Sequence, residues 1–377
     1  MTMTKTKKKI NKTYNKTYNN THNNKIIKIL SIVKNYYENQ KDRIHVNAYE
    51  RAIYQIKHWD KPITKGNELS SLVGIGKGMI EKIDTIIETG TLPIIKEKGL
   101  YISNNKTKKN KLVKANNNIN HILGFGNKLL SELKTKHHAR TINDIRKIVS
   151  EGKVKLTHMQ ELGLKHYEDL SLPIPRNEIK EIGNKIKSII EKSNKFLTCF
   201  IAGSYPSGTK ETSKDIDLLI VVKDDVTHNL GMYRDILKNI ENVMSLETIS
   251  LGNETFLGLV KNNSKNSSHK WRHLDIRITL IDNLPYAWLY YTGGKIFNKL
   301  IRERLKKKGY KLNEYGLYVS KTNSRIDLDN KELDKYNINK DGMLNINEKQ
   351  MMQYVENVEK KIFEIADLEY KSVQERY

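Results

Sequence analysis

The chain has 377 residues, among them 67 lysines and arginines, 43 acidic residues and a single cysteine. This length allows two or three domains, and no apolar run approaches the roughly 18 residues that a membrane-spanning helix needs. One cysteine excludes an intrachain disulfide, and the net charge of +24 favours a polyanionic partner such as nucleic acid. We therefore expect a soluble intracellular monomer, nuclear or cytoplasmic, with no membrane partner.

Changes in amino-acid composition along the chain predict five segments. The first is rich in Lys, Thr and Asn, which predicts a disordered basic tail, and apolar residues at helical spacing begin near Lys25. Two helical domains follow, the second opening with a Lys- and Asn-rich linker at 103–118, and then a domain that alternates helix and strand and a smaller α/β subdomain. The predicted boundaries are 1–24, 25–102, 103–175, 176–285 and 286–377.

Three local features of these segments carry separate expectations. The polar stretch at 262–270 predicts a hairpin loop, and the Asn-rich stretch at 322–348 predicts an inserted loop. Cys199 lies in an apolar strand-like run and is expected in the core rather than as a nucleophile.

Two Gly-x-Gly turns interrupt the helical domains. Gly74 and Gly76 precede one predicted helix, and Gly124 and Gly126 precede another. Glycines allow a tight turn and a close approach of the backbone to a ligand. The N–H groups of the following helix can then bind a DNA phosphate without reading sequence.

Three aspartates dominate the helix–strand domain. Asp215 and Asp217 flank Ile216 at the start of an apolar run, so in a strand both carboxylates point to one side. Asp275 lies on a second strand with alternating apolar residues. Like charges this close are costly unless cations lie between them, and a pair of divalent metal ions suits phosphoryl transfer. The alternative is that the aspartates mark ordinary strand edges.

These motifs resemble those of family X DNA polymerases, the polymerase beta group. The resemblance rests on Gly203-Ser204, Asp215-x-Asp217, Asp275 and the segment from Tyr290 to Lys299, and it extends over nearly all of 25–377. It implies a multi-domain α+β fold. Helix-hairpin-helix N-terminal domains precede a nucleotidyltransferase palm with a mixed β-sheet and a small C-terminal α/β subdomain.

The resemblance also implies an activity, namely filling short gaps in base excision repair with dNTPs on gapped or nicked DNA. Asp215, Asp217 and Asp275 would bind two Mg²⁺ ions, with Mn²⁺ as a substitute, and Asp275 would accept the proton of the primer hydroxyl. A monovalent cation, K⁺ or Na⁺, is expected at the hairpins. The implied nucleotide contacts are Gly203, Ser204, Gly208, Lys214, Tyr290, Tyr291, Gly293 and Asn298. The implied DNA contacts are Tyr49, Gly74, Gly76, Gly124, Gly126, Arg277 and Arg302.

By the same resemblance, Lys82 is the candidate nucleophile of a 5′-deoxyribose-phosphate lyase. A lysine amine attacks the sugar aldehyde only when it is deprotonated. Tyr49 is expected near the sugar phosphate. His45 and Gly78 depart from the family's lysines, so the alternative is that Lys82 only binds phosphate.

The nucleotide site departs from the family in its charges. Pro206-Ser207-Gly208 replaces an arginine-containing turn, and Pro173 replaces another arginine that contacts the triphosphate. Lys210 and Lys214 are expected to supply the missing charge, and the alternative is that the nucleotide binds more weakly. Two other functions stay open at this point: a template-independent terminal transferase, and a catalytically weak scaffold that binds nicked DNA.

Overall fold

The computed structural model describes residues 23–100, 119, 122–223, 230–265, 267–328, 333–336 and 346–377. The chain divides into two compact units, Met1–Lys106 and Thr107–Tyr377. Among the described residues, no helix is both long enough and apolar enough to cross a membrane. The predicted linker at 103–118 and most of the predicted tail lie outside the described residues.

The first unit is helical. Asp42 caps the second helix by accepting from the backbone N–H groups of Ile44 and His45. The first helix already includes Asn23, which is the first described residue. The Asn23 amide accepts from Ile63 N at 3.0 Å and donates to the Lys61 carbonyl. Isoleucine and leucine side chains of all four helices form one core. The helices are α1 (23–39), α2 (Arg43–Lys57), α3 (Lys77–Thr89) and α4 (Pro93–Glu97).

In the described part of the second unit, four short helices come first and pack around their own core. Thr141 caps the second of them through a capping box with Asp144. Apolar residues of the first two helices, such as Leu133 and Ile145, are fully buried in this core. The helices are α5 (Asn127–Thr135), α6 (Ile142–Ser150), α7 (His158–Lys165) and α8 (Tyr167–Leu170).

A five-stranded mixed sheet follows, in the order β2-β4-β7-β6-β5. Strands β4 and β7 pair in parallel, and the other neighbours are antiparallel. A short pair, β1 with β3, stands apart. The predicted hairpin loop at 262–270 joins β6 to β7, as expected. The elements are β1 (Ile174–Pro175), α9 (Arg176–Ser193), β2 (Leu197–Ile201), β3 (Thr212–Ser213), β4 (Ile216–Val222), α10 (Leu230–Glu241), β5 (Ser245–Leu251), β6 (Thr255–Lys261) and β7 (Trp271–Leu280).

Both faces of the inner strand β4 are covered, because every residue from Leu218 to Val222 is buried. Helices α9 and α10 contribute the core on one face. On the other face, Trp288 meets Phe200 edge-on with ring centroids 5.9 Å apart. Cys199 is fully buried, and burial raises the pKa of its thiol to about 12, so it is the core residue that the sequence predicts.

The last part of the chain packs helices beside a small hairpin. The elements are α11 (Leu284–Thr292), α12 (Lys295–Lys307), β8 (Tyr310–Asn313), β9 (Gly316–Val319), α13 (Glu348–Ile365) and a 3-10 turn, Val373–Arg376. Helix α11 is buried on nearly all sides, which explains its continuous apolar sequence. Much of the predicted loop at 322–348 lies outside the described residues. The architecture is the predicted multi-domain α+β fold with a mixed sheet.

Candidate active site

The parallel pair of strands places two of the three aspartates side by side. Asp217 is the register partner of Asp275, and the apolar neighbours Ile216 and Leu274 on the opposite face are fully buried. Asp215 directly precedes β4. The alternation predicted from the sequence therefore places Asp217 and Asp275 next to each other on one face of the sheet.

A glycine turn lies directly against Asp217. Gly203 has a φ of +60°, and a Cβ atom there would lie 1.9 Å from the Asp217 Oδ2 atom. The neighbouring Ala202 N–H donates to the Asp217 carbonyl at 2.8 Å. Only glycine allows this left-handed turn to touch the carboxylate.

Hydroxyl groups link this turn to Asp215. The Ser204 and Ser213 hydroxyl oxygens are 3.3 Å apart, and the Ser213 hydroxyl donates to Asp215 Oδ1 at 3.2 Å. Ser207 lies buried below and donates to the Ser204 carbonyl. The turn and the first aspartate thus form one connected hydrogen-bonded group.

Asp217 is buried beside the carboxylates of the other two aspartates. Burial raises the pKa of Asp217 to about 7, and the Asp215 and Asp275 carboxylates add to the shift while Arg277 opposes it. Burial lowers the pKa of the adjacent His273, against the pull of the same carboxylates. An excess of buried negative charge is the condition that a bound cation relieves.

Arg277 supplies part of the positive charge that offsets the three aspartates. Its Nε atom lies 3.0 Å from Asp275 Oδ1, and its Nη2 atom donates to Oδ2 at 3.2 Å. Among the described residues, no three His, Cys, Asp or Glu side chains lie at the spacing of a metal-ion site. The physical reason is that Asp275 turns to Arg277 and Asp215 to Ser213, which separates the like charges.

The candidate residues from the C-terminal part of the chain lie around a second glycine turn, Gly293–Gly294. Asn298 donates through Nδ2 to the carbonyls of Tyr290 and Gly293, both at 2.8 Å. The Arg302 guanidinium lies 4.4 Å from the centroid of the Tyr290 ring. Burial raises the pKa of the neighbouring Tyr291 above its ordinary range. Asn298 therefore fixes two backbone carbonyls of the predicted nucleotide segment.

Basic side chains lie around the first glycine turn although the family's arginines are missing. Lys210 and Lys214 are exposed in the loop before Asp215. Gly208 ends the short turn in this loop with a φ of +67°. Arg176 was not predicted as a site residue, yet its guanidinium lies 4.0 Å from the centroid of the Tyr205 ring.

Tyr377 is a second site residue that was not predicted from the sequence. Its hydroxyl donates to the Gly203 carbonyl at 3.0 Å. Burial raises the pKa of that hydroxyl to about 12, with a further rise from Asp217, so it keeps its proton at neutral pH. No local pattern marks this tyrosine, because its partner is 174 residues away.

The two Gly-x-Gly turns have matching geometry. Gly74 and Gly124 have φ of +89° and +79°. Gly76 and Gly126 are the N-cap residues of α3 and α5, and nothing lies within 4 Å of a Cβ atom built on either. The Gly124 carbonyl is occupied by the Gln160 side chain, which donates to it at 3.1 Å.

The predicted lyase residues lie in the first unit. The Lys82 ammonium donates to the Gly78 carbonyl at 3.0 Å. Tyr49 is buried, and the Tyr37 ring stacks between it and His45, with centroids 5.8 and 4.2 Å away. His45 itself pairs with Asp42 at 2.7 Å. The Tyr37 ring thus lies against Tyr49, which the sequence predicted to lie near the sugar phosphate.

Comparison with known families matches four regions of the chain in the expected order. They are a helix-hairpin-helix domain at 21–92, the fingers domain of DNA polymerase lambda at 117–171, the DNA polymerase beta palm at 173–280 and the DNA polymerase beta thumb at 287–377. These matches define a family X DNA polymerase similar to DNA polymerase beta, and the chain belongs to that family.

Individual relatives agree with this assignment. DNA polymerase lambda of Rattus norvegicus is 30% identical over 298 residues, which cover 78% of this chain and 48% of that protein. The DNA polymerase lambda of Arabidopsis thaliana is 25% identical over 304 residues, covering 78% and 54%. A DNA nucleotidylexotransferase of Xenopus laevis is 26% identical over 334 residues, covering 80% and 63%. The chain thus spans about half the length of the polymerases it matches.

Proposed function

We propose that the chain is a DNA-directed DNA polymerase that fills short gaps during base excision repair, acting as a monomer in the nucleus or cytoplasm. One observation carries the proposal: Asp217 and Asp275 are register partners on parallel strands, with a glycine turn packed against Asp217. This arrangement suits transfer of a nucleotide to a primer.

In the reaction, the primer 3′-oxygen attacks the α-phosphorus of a dNTP. The bond from that phosphorus to the bridging oxygen of the β-phosphate breaks, and pyrophosphate leaves. The Asp275 carboxylate accepts the proton of the 3′-hydroxyl, with Arg277 within hydrogen-bond distance to orient it. The Gly203–Ser204 turn presents its backbone and hydroxyl to the phosphates.

The three aspartates would supply the ligands of a pair of Mg²⁺ ions, or of Mn²⁺ in their place. Carboxylate oxygens are the preferred ligands of Mg²⁺, and burial, with a further contribution from the Asp215 and Asp275 carboxylates, raises the pKa of Asp217, which a bound cation would offset. When bound, the ions would activate the 3′-hydroxyl and neutralise the leaving pyrophosphate. Asp215, Asp217 and Asp275 would bind one ion, and Asp215 and Asp217 the other.

DNA binding is assigned to the two hairpins. The open N-caps at Gly76 and Gly126 leave the first N–H groups of α3 and α5 free to approach phosphates. A K⁺ or Na⁺ ion between backbone carbonyls and phosphate would strengthen this contact. At the second hairpin, the Gly124 carbonyl already accepts one hydrogen bond, from Gln160.

The test is extension of a primer on DNA with a one-nucleotide gap, with and without a template base opposite the gap. We expect Asp275→Ala to abolish extension and to leave affinity for gapped DNA nearly unchanged. Asp235→Ala, an exposed carboxylate change on α10, is the matched control. Substantial extension by Asp275→Ala would defeat the assignment of the aspartates.

Terminal transfer is the second candidate, because a DNA nucleotidylexotransferase is among the relatives. Equal extension with and without a template base would favour it over gap filling. Tight binding to nicked DNA without any extension would instead leave only the scaffold function.

A lyase activity of Lys82 is a separate part of the proposal. The Lys82 side chain folds back along α3 to the Gly78 carbonyl, and its amine has to lose a proton before it can attack the sugar aldehyde. Borohydride should trap a covalent complex with DNA that carries a 5′-deoxyribose phosphate, and Lys82→Ala should weaken this trap strongly. Lys77→Ala is the nearby control. If the wild-type protein formed no adduct, the first unit would have no lyase activity and would only bind DNA.

Selection of dNTPs over rNTPs is assigned to the Tyr290 segment. The Asn298 side chain fixes the Tyr290 and Gly293 carbonyls, so a 2′-hydroxyl placed against them would meet backbone that does not yield. We expect strong preference for dNTPs, relaxed by Tyr290→Gly. Equal incorporation of both sugars by the wild type would show that this segment does not contact the ribose.

A further inference from the structure

Tyr377 contacts both glycine turns that flank the candidate nucleotide site. Its hydroxyl donates to the Gly203 carbonyl. A Cβ atom on Gly294 would lie 2.8 Å from the Arg376 carbonyl oxygen and 3.5 Å from Cδ1 of Tyr377. The segment that carries Tyr377 is therefore packed between the turn beside Asp217 and the turn before α12.

A buried ion pair fixes this segment. The Arg376 side chain is fully buried and donates to both Glu359 carboxylate oxygens, one of them at 2.9 Å. Its Nε atom donates to the Lys371 carbonyl at 2.9 Å. Aromatic rings of Phe297 and Phe363 enclose the guanidinium, with centroids 5.7 and 5.6 Å away. A bidentate pair in such surroundings holds the backbone of the next residue, Tyr377, in one place.

The ring of Tyr377 also meets a cation. The Lys210 ammonium lies 5.5 Å from the ring centroid, within the range of a cation–π contact. Lys210 belongs to the loop that joins the Gly203–Ser204 turn to Asp215, and it is exposed. An exposed lysine samples many rotamers, and contact with a fixed aromatic ring restricts it to those near the turn.

We propose that Tyr377 is a positioning residue for the triphosphate of the incoming nucleotide. Its hydroxyl holds the Gly203–Ser204 turn, and its ring places Lys210 beside that turn, where the ammonium binds the phosphates in place of a missing arginine. This inference rests on the proposed polymerase function and names the groups that bind its substrate.

The two contacts of Tyr377 can be separated by substitution. Tyr377→Phe removes the hydrogen bond and keeps the ring, whereas Tyr377→Ala removes both. Loss of one hydrogen bond in Tyr377→Phe should raise the KM for dNTP about two- to tenfold. The kcat of this variant should stay within about twofold of the wild type. We expect a larger rise in KM for Tyr377→Ala, because Lys210 also loses its contact.

Coupling between Lys210 and the ring is the decisive measurement. Lys210→Met should raise the KM for dNTP about fivefold or more in the wild type and in Tyr377→Phe, but less than about twofold in Tyr377→Ala. Lys192→Met is the matched control, because this exposed lysine lies near the far end of α9 and should leave every KM unchanged. If Lys210→Met raised the KM for dNTP by the same factor in the wild type, Tyr377→Phe and Tyr377→Ala, the proposal would be overturned.

A second readout keeps the result independent of turnover. Binding of a fluorescent dATP with Ca²⁺ to the complex of protein and gapped DNA should show the same factors in its dissociation constant. A wild type that binds dATP without extending the primer would defeat the proposed function, while the coupling remained measurable. Equal dATP affinity of the wild type, Tyr377→Phe and Lys210→Met would overturn the positioning role. Thermal unfolding of each variant identifies any that is simply misfolded.

Discussion

Replacing Gly203 by alanine tests the contact on which the candidate site depends. The new Cβ atom would lie 1.9 Å from Asp217 Oδ2, and real Cβ contacts stay above 3.0 Å. The carboxylate or the turn therefore has to move by at least about 1.1 Å. Displacing a catalytic group by about 1 Å can reduce the rate about 100-fold, so we expect a fall in kcat/KM of that order in one-nucleotide gap filling.

The backbone conformation adds a second cost. Gly203 has a φ of +60°, and a left-handed conformation costs an alanine roughly 1–2 kcal/mol. Gly152→Ala is the matched control, because its φ is +71° and a Cβ atom there would have nothing within 4 Å. Gly152→Ala should lower the free energy of unfolding by a similar amount and leave gap filling unchanged.

The comparison of these two variants separates strain from displacement of the carboxylate. If Gly203→Ala retained more than about a third of the wild-type kcat/KM, the close contact with Asp217 would not matter for the reaction. An equal loss of activity in Gly152→Ala would show that general destabilisation explains both. Affinity for gapped DNA should be unchanged in each variant, because the hairpins lie elsewhere in the sequence.

Further predictions concern buried charges and the cysteine. Glu359→Gln should lower the free energy of unfolding by about 3–5 kcal/mol, because it leaves Arg376 buried without its counter-charge; urea unfolding measures this, and a loss below about 1 kcal/mol would contradict it. The pKa of Asp217 is raised to about 7, so the folded metal-free protein holds this proton more tightly than the unfolded chain does. Its free energy of unfolding should therefore fall by about 2–4 kcal/mol as the pH rises from about 4 to about 8. Asp217→Asn should remove this fall. Cys199 should react with a thiol reagent only after unfolding, because it is fully buried.

The grouping of the three aspartates could be predicted from the sequence, because the patterns that indicate it are local. Alternation along β7 and the spacing of Asp215 and Asp217 follow directly from the two-residue period of a strand. The family resemblance supplied the domain order, and the comparisons confirm the family. The tail predicted at 1–24 was too long by at least two residues, because Asn23 belongs to α1 and bonds to Lys61 and Ile63.

Contacts between distant segments could not be predicted in this way. Arg277 was predicted only to bind DNA, and the structure pairs it with Asp275. Tyr377 lies 174 residues from the Gly203 carbonyl that accepts its hydrogen bond. The contact of Tyr377 does not follow from spacing or composition, because it depends on how the end of the chain packs. Arg277 lies two residues from Asp275 on the same strand, so their contact is local.

The charge balance of the site explains why such distant contacts are present. Asp217 is buried beside like charges, so repulsion favours movement of the strand ends and the turn next to them. Arg277 offsets part of this charge on the side of Asp275. On the other side, the Tyr377 hydroxyl is a neutral donor that holds the Gly203 carbonyl without adding charge where cations have to bind. The ion pair of Arg376 fixes that tyrosine from a region outside the site, so the geometry of the aspartates depends on residues that never touch the substrate.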